Sequence, residues 1–182
     1  MKQLIISLVV ALAAQVASAQ DFGLTAGFRS TNADIEGATV SSGTGFQFGG
    51  LAWIPMTDVL YVRAGFHYTQ KYFESKVGST TVEYKPTYLD IPLTLMYRFS
   101  DFGGAFIGPV LSLNQSKDCS TNSGACSFTG VKSSLIPLQF GLSFKFAPQL
   151  GGELVYEMAS GKIADNVENL RSLGANFVVW FE

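Results

Sequence analysis

The stretch Tyr88-Leu89-Asp90-Ile91-Pro92-Leu93-Thr94-Leu95-Met96-Tyr97-Arg98-Phe99 puts Leu89, Ile91, Leu93, Leu95, Tyr97 and Phe99 on one side and Tyr88, Asp90, Thr94 and Arg98 on the other. A period of two is that of a β-strand, whose successive side chains point to opposite faces. The apolar side carries no charge along the whole stretch. An Arg or Lys on a lipid-facing barrel surface costs about 2–4 kcal/mol at the bilayer midplane, so an uncharged face of this length is what hydrocarbon as solvent demands.

The same alternation runs outward from this segment in both directions, and no 3.6-residue pattern is sustained after residue 20. Residues 21–29 set Phe22, Leu24, Ala26 and Phe28 against Gly23, Thr25, Gly27 and Arg29. Residues 44–54 set Phe46, Phe48, Ala52 and Ile54 against Gly45, Gln47 and Gly49. Residues 59–72 set Leu60, Val62, Ala64, Phe66 and Tyr68 against Tyr61, Arg63, Gly65, His67 and Thr69, and the fourth segment covers about 82–99. Ala105, Ile107, Leu111 and Leu113 mark a fifth, and Ile136, Leu138, Phe140, Leu142, Phe144 and Phe146 a sixth. In the seventh, Leu154, Tyr156 and Met158 face away from Glu153, Val155 and Glu157; in the eighth, Ala175, Phe177, Val179 and Phe181 face away from Gly174, Asn176 and Trp180.

The links at 55–58, 100–103 and 147–150 are tight, those at 30–43, 114–133 and 161–171 are long, and the one near 75–80 is intermediate. Short turns on one rim and long connections on the other give the expected fold: all-β, an eight-stranded antiparallel up-and-down transmembrane β-barrel with short periplasmic turns and longer extracellular loops. Phe22, Tyr97, Phe99, Phe144, Phe146 and Phe181 would form the periplasmic aromatic girdle, and Phe28, Phe46, Tyr68 and Tyr72 the outer one. Pro92, Pro109 and Pro137 fall in strands that closure makes central, where each removes a ladder donor, and local bulges are expected there.

Composition agrees with a membrane reading: charged residues are only 14% of the chain, aromatics 13%, and there are 19 glycines. No apolar run after residue 20 approaches the roughly 20 residues of a membrane helix. A net charge of −2 without a Lys/Arg stripe makes nucleic acid an unsuitable partner. Met1-Lys2-Gln3, an apolar run over 4–16 and Ala17-Ser18-Ala19 read as an export signal, giving a signal peptide at 1–19 and one barrel domain at 20–182. Export suits a disulfide between Cys119 and Cys126, whose short loop would gain roughly 2.5 kcal/mol in the simple chain-entropy estimate. The pair lacks the further Cys or His that a zinc site needs, and no metal or cofactor is expected.

The rival fold is a soluble, lipocalin-like exported barrel with the apolar face turned inward. Against it stand Gly23, Gly27, Gly45, Gly49, Gly65, Gly108, Gly141 and Gly174 on the other face, which weaken a solvated strand but fit a narrow lumen.

By parity the sole histidine, His67, shares the lumen with Arg63, Asp90, Arg98, Glu153 and Glu157. The expected role of this set is an interior ion-pair network rather than catalysis, because a barrel this narrow must satisfy its buried charges internally. No phosphate loop, HExxH helix or calcium loop occurs, and no catalytic residue is assigned. Three functions remain from different classes: a non-enzymatic barrel whose loops meet a surface or envelope partner, a narrow channel or carrier for a small solute, and a lipid-modifying enzyme. The first is the expectation. Its partners would be outer-membrane lipid, the barrel-assembly machinery and an unidentified extracellular or envelope protein.

The Tyr88–Phe99 strand, with its Tyr-Leu-acid-Ile-Pro order, resembles the PorT-like outer-membrane β-barrel domain proteins common in Bacteroidetes. Residues 104–113 with their Gly-Pro step and the closing strand at 176–181 resemble the same family. The resemblance implies an integral outer-membrane barrel with an assembly signal in the last strand, carried here by Phe177, Val179 and Phe181. Two features depart from the family pattern: Glu182 follows the terminal aromatic, and the Cys119/Cys126 loop is not typical of its members.

Overall fold

A computed structural model describes residues 21–35, 37–78, 80–122, 126 and 130–181; the expected signal peptide at 1–19 lies outside the described residues. The described residues form ten strands: β1 (Asp21–Ile35), β2 (Thr39–Pro55), β3 (Leu60–Gln70), β4 (Phe73–Val77), β5 (Thr80–Ser100), β6 (Gly103–Thr121), β7 (Ser134–Leu135), β8 (Leu138–Ala147), β9 (Leu150–Ala164) and β10 (Val167–Phe181). β3 and β4 lie end to end between β2 and β5, and β7 and β8 lie end to end beside β6, so the ten strands make eight staves. Every neighbouring pair is antiparallel, and β1 pairs with β10 from Phe22↔Phe181 to Ile35↔Val167, which closes the wall on itself. Closure leaves no open sheet edge in the hydrocarbon, the condition a β-structure must meet to cross a membrane.

The faces follow the alternation. Leu24, Phe28, Phe48, Phe66, Leu93, Ile107, Leu154 and Phe177 all point outward and are exposed, Phe28 by 71%. In water so much continuous apolar surface would mark an aggregating protein. Turned outward, this face rules out the soluble barrel with an apolar interior.

Two expectations need correction. The segments at 30–43 and 161–171 are not long loops, and neither is the first part of 114–133: β1 and β2 run to Ile35 and from Thr39, β9 and β10 run to Ala164 and from Val167, and β6 runs to Thr121. The strands continue above the apolar band because backbone groups in water are still best paired with one another, and only the polarity of the faces changes. The second correction concerns the prolines. Pro92 faces Val110 and Leu95 faces Ile107, the same offset on both sides of Pro109, and β7 and β8 keep one offset against β6 across Pro137. The prolines interrupt pairing without shifting register. Register shifts fall instead near the rims at Asn32/Asp34, Val167/Glu168, Glu168/Leu170, Arg98/Ser100 and Lys145/Ala147, and within β5 at Thr87/Tyr88, next to Pro86.

Candidate functional site: a three-storey lumen beneath an extracellular crown

The lumen is filled in three layers. At the periplasmic end Leu51, Trp53, Tyr61, Met96, Phe106, Val155, Val178 and Trp180 pack into one apolar cluster. Trp53 and Trp180 meet at 5.5 Å between ring centroids. Gly151 makes that pairing possible, because a Cβ there would run into the Trp180 ring and the Phe144 carbonyl oxygen. The cavity at this end measures about 20 Å³, room for about one water.

The middle layer is ionic. Arg63 donates from Nε and Nη2 to both oxygens of Glu153, at 2.9 and 2.6 Å, a bidentate pair fully buried on both sides. Arg29 donates to Glu157 at 2.6 Å, and Lys71 donates to the other oxygen of Glu157 at 2.5 Å. Lys71 also reaches Asp90 and the Ser112 hydroxyl, each at 3.4 Å. His67 is buried and sits directly across the β3–β5 seam from Asp90. Three cations therefore stand against three carboxylates. Such pairs are not stabilising merely by being buried, but removing one partner leaves an uncompensated charge at a cost of about 3–5 kcal/mol.

The upper layer is apolar again: Phe73, Tyr88, Leu135, Ile163, Val167 and Leu170 form its centre, with Ile35, Val40 and Tyr84 packed against them. Cation–π contacts tie the layers together, Arg63 over the Phe106 ring at 4.3 Å below and Lys71 over the Tyr88 ring at 4.9 Å above.

Five of the six residues expected in the lumen network meet in the middle layer; Arg98 does not. It lies at the periplasmic rim, 3.5 Å from Asp21 and stacked over Tyr61 at 4.1 Å, with the apolar cluster between it and the network. Arg29 and Lys71 complete the network and were absent from the expected set. Parity from Arg63 and His67 onward puts Lys71 inside, a signal available in the sequence. Cys119 on β6 and Cys126 are joined by a disulfide, with Cα atoms 5.9 Å apart. Phe177, Val179 and Phe181 lie on the outer face of β10 opposite Ala26, Leu24 and Phe22, and the Phe22 and Phe181 rings stack at 5.1 Å.

Above the apolar band the strands form a crown with polar outer faces. Tyr72, expected in the outer girdle, belongs to it: its hydroxyl donates to Glu74, and Lys85 lies over its ring at 5.2 Å. Lys85 donates to Glu83 at 2.7 Å and the Ser120 hydroxyl donates to the same carboxylate, which together hold the Glu83 carboxyl below its ordinary pKa. A cavity of about 390 Å³ opens at the tip between Asp34, Lys162, Asp165, Glu168 and Asn169. Among the described residues no group of three or more His, Cys, Asp or Glu is arranged to hold a metal ion.

The fold has close counterparts among solved structures. The attachment invasion locus protein Ail of Yersinia pestis aligns with a TM-score of 0.55 at 13% identity, over 88% of this chain and 98% of that one. Ail in complex with the heparin analogue sucrose octasulfate aligns at 0.52, also at 13% identity and over the same shares. Neisserial surface protein A aligns at 0.55 with 23% identity, over 88% and 97%. At these identities the likeness concerns the fold alone. No curated protein matches the chain in sequence. A family profile described as outer membrane protein beta-barrel domain matches residues 4–181. With that match across an uncharged, lipid-facing wall closed on itself, the chain belongs to the outer membrane protein beta-barrel domain family and is an integral protein of the bacterial outer membrane.

Proposed function

We propose that this barrel acts through its crown and not through its lumen: a non-enzymatic envelope protein whose extracellular strand extensions meet an extracellular or envelope partner. The observation that carries this reading is the stacking of an apolar layer, a paired ionic layer and a second apolar layer inside the wall. A water-filled pore needs a continuous polar path, and here it would have to pass Trp53 and Trp180 below and Tyr88 and Leu135 above. The same burial argues against catalysis, since His67 and the carboxylates are closed off from any lipid or solute substrate.

The Tyr-Leu-acid-Ile-Pro strand supports a finer placement among PorT-like proteins, some of which are linked to protein secretion. Lipid at the wall, the assembly machinery at the closing strand with Phe177, Val179 and Phe181, and a protein at the crown are the partners this reading implies; nucleic acid is not among them. The test has two arms. Planar-bilayer recordings should show no unitary conductance, and a steady one overturns the sealed lumen. Replacing Glu74, Glu83 and Lys85 together by Ser should abolish surface binding or the envelope phenotype while the barrel still shifts on an unboiled gel; unchanged binding overturns the crown assignment.

A further inference from the structure

The crown reading leaves the middle of the lumen without a binding role, yet unpaired polar chemistry is concentrated there. Around the wall, Asn176 of β10 stands opposite Gly27 of β1, Gly27 opposite Gln47 of β2, and Gln47 opposite Thr69 of β3. Directly opposed residues on one face of a sheet have their Cβ atoms about 5 Å apart, so these side chains form one row facing inward. Gly27 is the low point of the row: a Cβ there would collide with the Ala175 carbonyl oxygen and stand 2.5 Å from Asn176 Oδ1, so the Asn176 carboxamide folds over it toward Gln47.

Gln47 and Asn176 are 2% and 6% exposed, and both heteroatoms of each carboxamide lack a hydrogen-bond partner among the described residues. The same holds for the buried hydroxyls of Thr25, next inward along β1, and Thr69. The nearby guanidinium groups are paired in part, Arg29 to Glu157 and Arg63 to Glu153, while Arg29 Nε and Arg63 Nη1 have no partner among the described residues. Buried polar groups are almost always hydrogen-bonded, because each one left unpaired keeps the whole cost of its lost hydration. Two complete carboxamides and two hydroxyls in one place require a ligand.

We propose that this row is a binding site for internal water, a small resident cluster seated between Gln47 and Asn176 over Gly27. The chemistry selects water over an ion. The unpaired set offers amide, hydroxyl and guanidinium donors together with carboxamide and carboxylate oxygen acceptors, which a molecule that both donates and accepts can satisfy and an ion of one sign cannot. The three cations and three carboxylates of the ionic layer already balance, so a bound ion would leave net charge in a low-dielectric interior. Apolar layers close both ends, which makes the water resident rather than in transit. This site goes beyond the crown reading and rests on it only for the sealing of the lumen, which the bilayer recordings test separately.

Water-to-amide cross-relaxation measured by NMR on the folded barrel in detergent micelles tests the site directly. Both side-chain NH2 groups should show cross-peaks with the sign of water bound for longer than the molecule tumbles; absence of such peaks at both positions overturns the proposal. A stability measurement gives a second, opposite-signed reading. At a hydrated site, Gln47→Leu and Asn176→Leu each strip a partner from the cluster, and the folded-to-unfolded ratio in urea should fall about tenfold, the factor of about 1.4 kcal/mol. At a dry site each substitution removes an unpaid desolvation and the ratio rises, which overturns the proposal. If either Leu variant fails to assemble, Gln47→Met is read by the same sign.

Discussion

Along β1 the lower and upper halves of the molecule share one backbone conformation and opposite polarity. Leu24 and Phe28 face out with Thr25 and Arg29 inside; a few residues later Asn32 and Asp34 face out with Ala33 and Ile35 inside. β10 makes the same exchange from Leu173 outside Ser172 to Arg171 outside Leu170, and β5 from Leu93 outside Thr94 to Glu83 and Lys85 outside Tyr84. The alternation of two carries through both halves apart from the local shifts of register, and its sign inverts at the boundary between two solvents. Below, the wall is an inside-out protein held against hydrocarbon; above, it is an ordinary soluble sheet with its own core.

Substitutions matched across that boundary can break or sharpen the contrast. The largest effect is expected inside the lower half, where Glu157→Ala strands both Arg29 and Lys71; urea unfolding in micelles should lose about 3–5 kcal/mol. An unchanged midpoint would mean the ionic layer relaxes as freely as a surface. On the outside of the same half, Leu93→Arg should cost about 2–4 kcal/mol and deplete the assembled, heat-modifiable form in membranes. In the crown, Cys119→Ser releases a constraint of roughly 2.5 kcal/mol that acts on the upper strands only. Limited proteolysis of whole cells should then cut the crown while the wall still resists boiling-free denaturation. The smallest effect is expected for Ser120→Arg, on the water-facing side beside Glu83, with a shift within about 0.5 kcal/mol. If Ser120→Arg and Leu93→Arg were tolerated equally, the two outer faces would share one solvent and the comparison would collapse.

Much of this was legible in the sequence. Eight staves, their inward and outward faces and the tight periplasmic turns all follow from a period of two that needs no long-range information. The crown was misread as loops at 30–43 and 161–171 because a strand was recognised there by an apolar outer face, and above the boundary the apolar residues are on the inner one. The ionic layer was read in part for a related reason: alternation reports which face a residue takes but not its height. Arg98 shares the face of Arg63 and sits near the rim, while Arg29 and Glu157, 128 positions apart in sequence, meet only through closure of the ring. Lys71 lay just past Tyr68, the last residue read on the apolar face of its segment.

The prolines carry a mechanical consequence. Pro92 is opposite Val110, and Val110 donates to the Pro137 carbonyl at 2.9 Å, so two of the residues that cannot donate flank one position of β6, with Pro109 beside it. Loss of neighbouring cross-links in one panel makes that part of the cylinder more compliant than the β1–β10 seam, whose pairing runs unbroken from Phe22 to Asn32. When the surrounding bilayer thickens or thins, deformation should gather in the β5–β6–β8 panel, and its amides should exchange with deuterium before those of the seam.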